Sequence, residues 1–322
     1  MHLFSTDGFL LALADAWFPG KPRQVGLYEV GDHLYRLLSI DGASPITEWP
    51  FLDFHAPVAL CVGVAAACLR YLPHAVVATA ELGVTPPPLA PGHAPAPFIA
   101  WNRFGGWAEF EAHFAARRSS LPRDSRSKRR GLERDLGPLT FTWDDPRPEV
   151  LERCLAWKSA QYRHSGYPDV FAPPRNRLFF ELLRDRGVAA VSSLSAGGRL
   201  VAAHLGAMSD DRRCYSWIAS YDPDAGRYSP GRLLLEDMLR ESQARRHLEW
   251  DFGIGTADYK WHYATHSRVV GPVGAPPLTL VLEEAARARL KGILLRYPAL
   301  YDRVRRLRSQ VRRLRGSSGA RA

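Results

Sequence analysis

Cysteine is scarce in this 322-residue chain: there are four, Cys61, Cys68, Cys154 and Cys214, and no two are spaced C-x-x-C. Each lies in an apolar stretch, so they read as small core side chains of a reducing compartment and exclude a disulfide framework or a zinc finger. Long apolar runs are scarce too. The run Phe9 to Phe18 is interrupted by Asp15, has no basic segment before it and no small-residue cleavage pattern, so no secretory signal is expected. The run Ala56 to Leu69, followed by Arg70, falls short of the roughly 20 residues a bilayer requires and suits a buried helix. A cytoplasmic protein is expected. His262 and His266 are four apart, but no Glu follows His262 and no third ligand is evident, so no metal is expected. Asp251-Phe252-Gly253 forms D-F-G without the V-A-I-K, H-R-D or glycine-rich loop that a kinase needs.

A hydrophobic content of 46% is enough to fill proper cores, and the 25 prolines and 26 glycines gather in short connectors such as residues 85–97. The net charge of +10 is unevenly placed. Arg117 to Asp135 holds eight Lys or Arg against three acids (+5), and Arg303 to Ala322 holds eight Arg and no acid (+8), which leaves the remainder near −3. An anionic partner is therefore expected at two places, not over a generally basic surface.

Periodicity predicts a hairpin over Gln24 to Ile40 around Gly31-Asp32, an alanine-rich helix over Ala56 to Tyr71 and a short strand over Ala75 to Ala80. A helix starts at Trp107, and the charged run Arg117 to Leu136 forms a continuing or second helix. The later half is clearer. Helices are expected over Pro148 to His164 and Arg177 to Arg184, and strands over Val188 to Leu194, Leu200 to Met208 and Cys214 to Ser220 form an antiparallel meander. A helix from Pro230 to Arg246, a strand over Leu248 to Phe252, a short helix from Ala257 and a strand near Arg268 to Val273 follow. The order hairpin, helix, strand in the first half suggests a second, related domain.

Two constellations carry chemistry. Ser229 suits an N-cap and Pro230 a first helical turn, so the amides of Gly231 to Leu233 and the charge of Arg232 form a candidate pyrophosphate site. An ordinary capped helix is the plainer reading. Further on, a strand delivers Asp251, Gly253 and Gly255 permit a tight turn, and Thr256 precedes a helix with Asp258, Tyr259 and Lys260. An ion pair of Asp251 or Asp258 with Lys260 is the structural alternative.

Tyr228-Ser229-Pro230-Gly231-Arg232-Leu233-Leu234, then Asp251-Phe252-Gly253-Ile254-Gly255 and Tyr259-Lys260, resemble the CelD/BcsL group of GNAT-related acyltransferases, also called the BioF2-like acetyltransferase domain. Ala202-Ala203-His204-Leu205-Gly206 and Trp157-Lys158-Ser159-Ala160-Gln161-Tyr162 resemble that group's upstream strand and first helix. The likeness covers most of Ser125 to Lys260 in order, although the usual Q/R-x-x-G-x-G/A loop keeps only Gly231.

The resemblance implies a mixed α/β (α+β) fold with a GNAT-like sheet flanked by helices. It divides the chain into a degenerate GNAT-like domain (1–115), a basic bridging helix (116–139), an acyltransferase domain (140–275) and a basic helical tail (276–322). It implies an acetyl-CoA or other acyl-CoA donor, an amine-bearing acceptor such as a small molecule or lipid-linked sugar of polysaccharide or envelope assembly, and kinship with FemAB and FemX, which pair two GNAT-like domains and use aminoacyl-tRNA. By the same implication Tyr228, Ser229, Pro230, Gly231, Arg232 and Leu233 bind the donor, and Trp157, Lys158, Gln161, Tyr162 and Trp217 bind the acceptor. Those aromatics are equally suited to a core.

Acyl transfer to an amine needs a proton acceptor, donors for the oxyanion and help for the leaving thiolate. His204 titrates in the right range to be the base, although a strand histidine is commonly a hydrogen-bonded core residue. Asp251 is the other candidate, as base or as orienter of His204. Tyr228 or Tyr259 would protonate the thiolate, and Lys260 would grip an acidic acceptor or hold Asp251. The tail places Leu300, Val304, Leu307, Val311 and Leu314 at helical spacing among arginines, which suits an anionic membrane surface, an acidic partner or plain packing. Two rival functions stay open: an aminoacyl-tRNA-dependent transferase using the basic run near Arg126 to Arg134, and an inactive GNAT-like module docking on an envelope-synthesis complex.

Overall fold

Alternating small and branched apolar residues from residue 189 to residue 221 form three antiparallel strands in the computed structural model, which describes residues 6–30, 33–43, 67–68, 71–82, 89–90, 92–117, 120–208 and 212–274, with 282 and 289 beyond them. Two compact units divide the chain, Met1–Gly274 and Ala275–Ala322, and the arginine-rich helix expected over residues 300–315 lies outside the described residues.

In chain order the first unit contains α1 (Asp7–Trp17), β1 (Arg23–Val30), β2 (His33–Ile40), β3 (Ala67–Cys68), β4 (Tyr71–Glu81), β5 (Ala94–Ala100), α2 (Trp107–Arg117), α3 (Leu121–Leu136) and β6 (Leu139–Thr142). It continues with α4 (Pro148–His164), α5 (Pro174–Asp185), β7 (Ala189–Ala196), β8 (Arg199–Met208), β9 (Arg213–Tyr221), α6 (Pro230–Ala244), β10 (Glu249–Asp251), α7 (Asp258–Tyr263) and β11 (His266–Gly274). Eight strands make one mixed sheet in the order β4-β11-β5-β10-β9-β8-β7-β6, and β2-β1-β3 make a small second sheet. Strands from both sides of residue 115 thus share the main sheet, so the two expected domains are built on common hydrogen bonds.

The sheet buries both faces. Phe9, Leu13, Cys154, Leu155, Phe179, Phe180, Ala203 and Leu205 pack α1, α4 and α5 on one side. Ile99, Trp101, Phe110, Leu132, Leu233, Leu234, Met238 and Trp250 pack α2, α3 and α6 on the other. Successive β8 residues such as Ala202 and Ala203 join opposite cores, as the two-residue period of a strand requires. Each fully buried Leu or Phe contributes roughly 1.5–3 kcal/mol.

Several local expectations are revised. The proposed helix over 56–71 lies mostly outside the described residues, and its described end is strand: Ala67–Cys68 pairs parallel with β1, and β4 starts at Tyr71. Pairing overrides the helix propensity of alanine there. Residues 94–97, read as the end of a proline-rich connector over 85–97, begin a central strand, β5. The prolines fit because Pro95 and Pro97 turn only acceptors to the loop after β10, taking N–H groups from Gly255 and Phe252 at 3.0 Å each.

The basic α3 keeps Arg123, Arg126, Arg130 and Arg134 on an exposed face and packs the opposite one. Ser125 donates to Glu236 (2.7 Å), Arg129 pairs with Asp237 (2.7 Å), and Lys128 donates to the Arg227 carbonyl (2.6 Å), strapping α3 along α6. At its end Gly197 (φ +55°) passes so close to the chain that an added Cβ would lie 2.0 Å from the Leu136 carbonyl oxygen. Only glycine fits this crossing.

Candidate active site

The parallel pairing of β9 with β10 covers only Glu249, Trp250 and Asp251 against Arg213, Cys214 and Tyr215, while β9 runs on to Tyr221. The strands therefore part after Tyr215, leaving one edge of residues 216–221 unpaired with β10. On its other edge β9 stays paired with β8 through a bulge, Leu205 opposite Ile218 and Gly206 opposite Ser216, so Trp217 is the extra residue. Gly206 is needed beside the bulge, where a Cβ would meet the Tyr215 carbonyl oxygen at 2.9 Å.

A cavity of about 340 Å³ opens at this parting. Lys158 and Gln161 of α4 enter from one side, and His204, Ser216, Ser220 and Tyr221 from the strands. Gly226, Ser229, Gly231 and Arg232 come from the turn into α6, and Tyr259 comes from α7. A wider groove of about 1160 Å³ runs beside α4 and α5, but its charged groups, among them Glu152, Arg177, Glu181 and Arg245, are of mixed sign and none of the expected site residues reaches it. The smaller cavity is where chemistry-bearing groups converge, the mark of a functional site.

Ser229 departs from its expected role. It is left-handed (φ 53°, ψ 50°) and makes no side-chain cap, because the 3-10 turn Pro223–Tyr228 ends on it as α6 begins. Its carbonyl, not its hydroxyl, receives the first N–H groups, from Arg232 (3.0 Å) and Leu233 (3.2 Å). Gly226 and Gly231 lie against the Tyr221 ring, where a Cβ would stand 3.6 and 3.4 Å away. Arg232 is bonded to Asp124, and its buried Nε has no hydrogen-bond partner. The start of α6 thus offers a cation and a helix terminus to an anion, while Pro230 and Leu233 are buried core.

Tyr228 faces away from the cavity. Its hydroxyl donates to Asp135, the Arg227 guanidinium covers its ring at 4.6 Å, and Gly131 packs against it. Trp157, Tyr162 and Trp217 do not line the cavity either: all three pack on the α4–α5 core, Tyr162 edge-on to Phe171 at 5.3 Å and Trp217 edge-on to Phe180 at 5.5 Å. Their spacing signalled packing.

His204 is buried, with Nε2 2.9 Å from the Ser216 hydroxyl and Nδ1 without a hydrogen-bond partner. Burial, reinforced by the Lys158 charge, pushes its imidazole down to about 3, so the ring is neutral near pH 7 and a weak resting base. Lys158 donates to the Ala219 carbonyl (3.2 Å) and lies over the Tyr162 ring at 5.8 Å.

Asp251 does not line the cavity. It is buried, accepts from the Gly253 N–H (2.7 Å) and pairs with Arg268 (3.0 Å), which reaches from β11 across the Phe98 ring of β5 and also bonds Glu249. Burial raises the Asp251 carboxyl against the pull of that guanidinium. Lys260 donates to the Ile254 carbonyl (3.0 Å), closing the 252–257 turn that carries Tyr259 to the cavity. Arg268 is the partner sequence reasoning missed, since no local motif links β10 to a strand two positions away. Among the described residues no cluster suited to a metal ion occurs, and no helix is long and apolar enough to cross a membrane.

Residues 119–261 match the family model of the acetyltransferase (GNAT) domain, a little under half of the chain. The fold is GNAT-like. The parting strands and the helix that follows the turn both fall inside the matched GNAT segment. FemX is similar in structure, with a TM-score of 0.51 at 8% identity over 88% of this chain and 94% of FemX. L-PGS from Bacillus licheniformis aligns with a TM-score of 0.44 at 10% identity over 89% of this chain and 97% of its own. The ribosomal-protein-S18-alanine N-acetyltransferase from Escherichia coli aligns with a TM-score of 0.26 at 14% identity, covering 44% of this chain and 97% of its own. No curated protein matches the sequence.

Proposed function

We propose that the protein is an acyl-CoA-dependent N-acyltransferase of the CelD/BcsL type, acting on an amine-bearing precursor of polysaccharide or envelope assembly. The observation that carries this reading is the convergence of Lys158, Gln161, His204, Arg232 and Tyr259 on one cavity where β9 and β10 part. The residues suit an acyl-CoA. Arg232 and the Gly231 N–H at the start of α6 would hold the pyrophosphate, and the backbone along the edge of β9 that β10 leaves unpaired would receive the acyl group.

In the transfer the acceptor reacts as its neutral amine, any ammonium proton having first passed to solvent; the nitrogen bonds to the thioester carbonyl carbon, the C–S bond breaks, and the proton then lost by nitrogen ends on sulfur. The enzyme gains no net proton. His204 would act as a relay that holds the proton during the step, a part open to a neutral imidazole of low resting basicity, and Tyr259 would supply a hydroxyl to protonate the leaving sulfur. Asp251 and Lys260 are positioning residues that fix the turn before α7.

The test is calorimetric titration of the full chain with CoA and acetyl-CoA, followed by thiol release with amine acceptors. Saturable binding, weakened in Arg232→Leu, and turnover lost in His204→Ala are expected. No binding of any acyl-CoA sinks the donor assignment. Steeply salt-dependent binding of aminoacyl-tRNA without CoA binding would favour the rival transferase.

A further inference from the structure

The charge of the cavity wall bears on the acceptor. Among the described residues that line it, the charged side chains are Lys158 and Arg232, both cationic, and no aspartate or glutamate joins them. Arg232 belongs to the α6 end and is bonded to Asp124 of α3. Lys158 enters from α4, held at the end of β9 by the Ala219 carbonyl and near enough to His204 for its charge to act on the imidazole. The two cations are thus borne on separate elements, one on the helix that starts at the glycine turn and one opposite it.

A protonated amine approaching this wall meets cations and no carboxylate, and is repelled. An acceptor that carries its own anionic group beside the amine is attracted by Lys158, and its charge cancels locally as it leaves water. Gln161, one turn along the same face of α4, adds a neutral donor and acceptor for the rest of such a molecule.

We infer that the acceptor is zwitterionic, an amine bearing a carboxylate or phosphate, and that Lys158 binds this anionic group while the α6 terminus and Arg232 bind the donor. The inference rests on the acyl-transfer reading for its donor half. Its own content is a second anion site that stays open when the donor site is full.

Matched acceptor pairs test it: ethanolamine against phosphoethanolamine, glycinamide against glycine, and glucosamine against glucosamine 6-phosphate, with acetyl-CoA and thiol release as the readout. The anionic member of a pair should be preferred, with its KM raised about tenfold or more in Lys158→Met, restored in Lys158→Arg, and the KM for acetyl-CoA unchanged. Members without the anionic group turned over equally well, or a Lys158→Met defect confined to acetyl-CoA, overturn the inference.

A donor-independent arm uses inorganic phosphate in a thermal-shift titration, alone and with saturating CoA. Stabilisation that persists beside CoA and disappears in Lys158→Met supports the second site. Phosphate displaced by CoA, or phosphate stabilisation that is absent or unaffected by Lys158→Met, overturns it. Failure of CoA to bind is read separately, as failure of the donor assignment.

Discussion

Two histidines make the fold acid-sensitive in a way that can be worked out in advance. His204, on β8, is buried beside Ser216 of β9 (2.9 Å) and held down to about 3; His247 is buried beside Cys214 and Ser242 (3.0 Å each) and held down to about 4 by burial and the Arg245 and Arg212 charges. Unfolded, both bind a proton near 6.5. Their folded values are depressed, so the folded chain is favoured while both are neutral, and that contribution is lost as pH falls below 6.5 towards the folded values.

Each histidine costs about 1.4 kcal/mol per pH unit in that window, so the pair removes roughly 5 kcal/mol by about pH 4.5. That loss rivals the total stability of a small domain, about 5–15 kcal/mol. Asp251 and Glu236 act oppositely: burial raises both carboxyls, and protonation on acidification relieves their cost. Comparing variants isolates the histidines. Urea unfolding of wild type, His204→Gln and His247→Gln from pH 6.5 to about pH 4.5 should show each substitution flattening the pH slope by about 1.4 kcal/mol per unit. Identical slopes in wild type and both variants would refute the reasoning.

Two further outcomes concern the turn and the helix start. Arg268→Met leaves the buried Asp251 without its guanidinium and should cost about 3–5 kcal/mol in chemical denaturation at neutral pH, with partial recovery in acid as the carboxyl protonates. Ser229→Ala should change stability by less than about 0.5 kcal/mol, against about 1 kcal/mol for a true N-cap, because the Ser229 hydroxyl makes no capping bond.

Local pattern carried much of this architecture. Proline at the start and apolar residues at helical spacing marked α4 at its observed limits, Pro148–His164. Gly197-Gly198 and Asp210-Asp211 between the strands marked the meander, and Ser-Pro-Gly marked the start of α6 within the cavity wall. What stayed hidden was decided across space. The prolines of β5 argued for a loop because nothing local shows that Pro95 and Pro97 need supply only carbonyls. Asp251 read as a catalytic carboxylate because its partner, Arg268, is 17 residues on and on the far side of β5. The aromatic residues Trp157, Tyr162 and Trp217 were ambiguous between ligand and core until the packing of α4 and α5 was known.

The three residues of β10 have a consequence for how this protein can be divided. Among the described residues they join the sheet's two halves, pairing with β9 on one side and β5 on the other. The segment that matches the GNAT family model, 119–261, contains β10 but neither β5 nor β11. Cut out at those limits, it would present β10 as a raw edge and carry Asp251 inward with no guanidinium to meet it. The boundary drawn by homology is therefore not a seam in the fold, and the smallest portable unit includes the strands on either side of that segment.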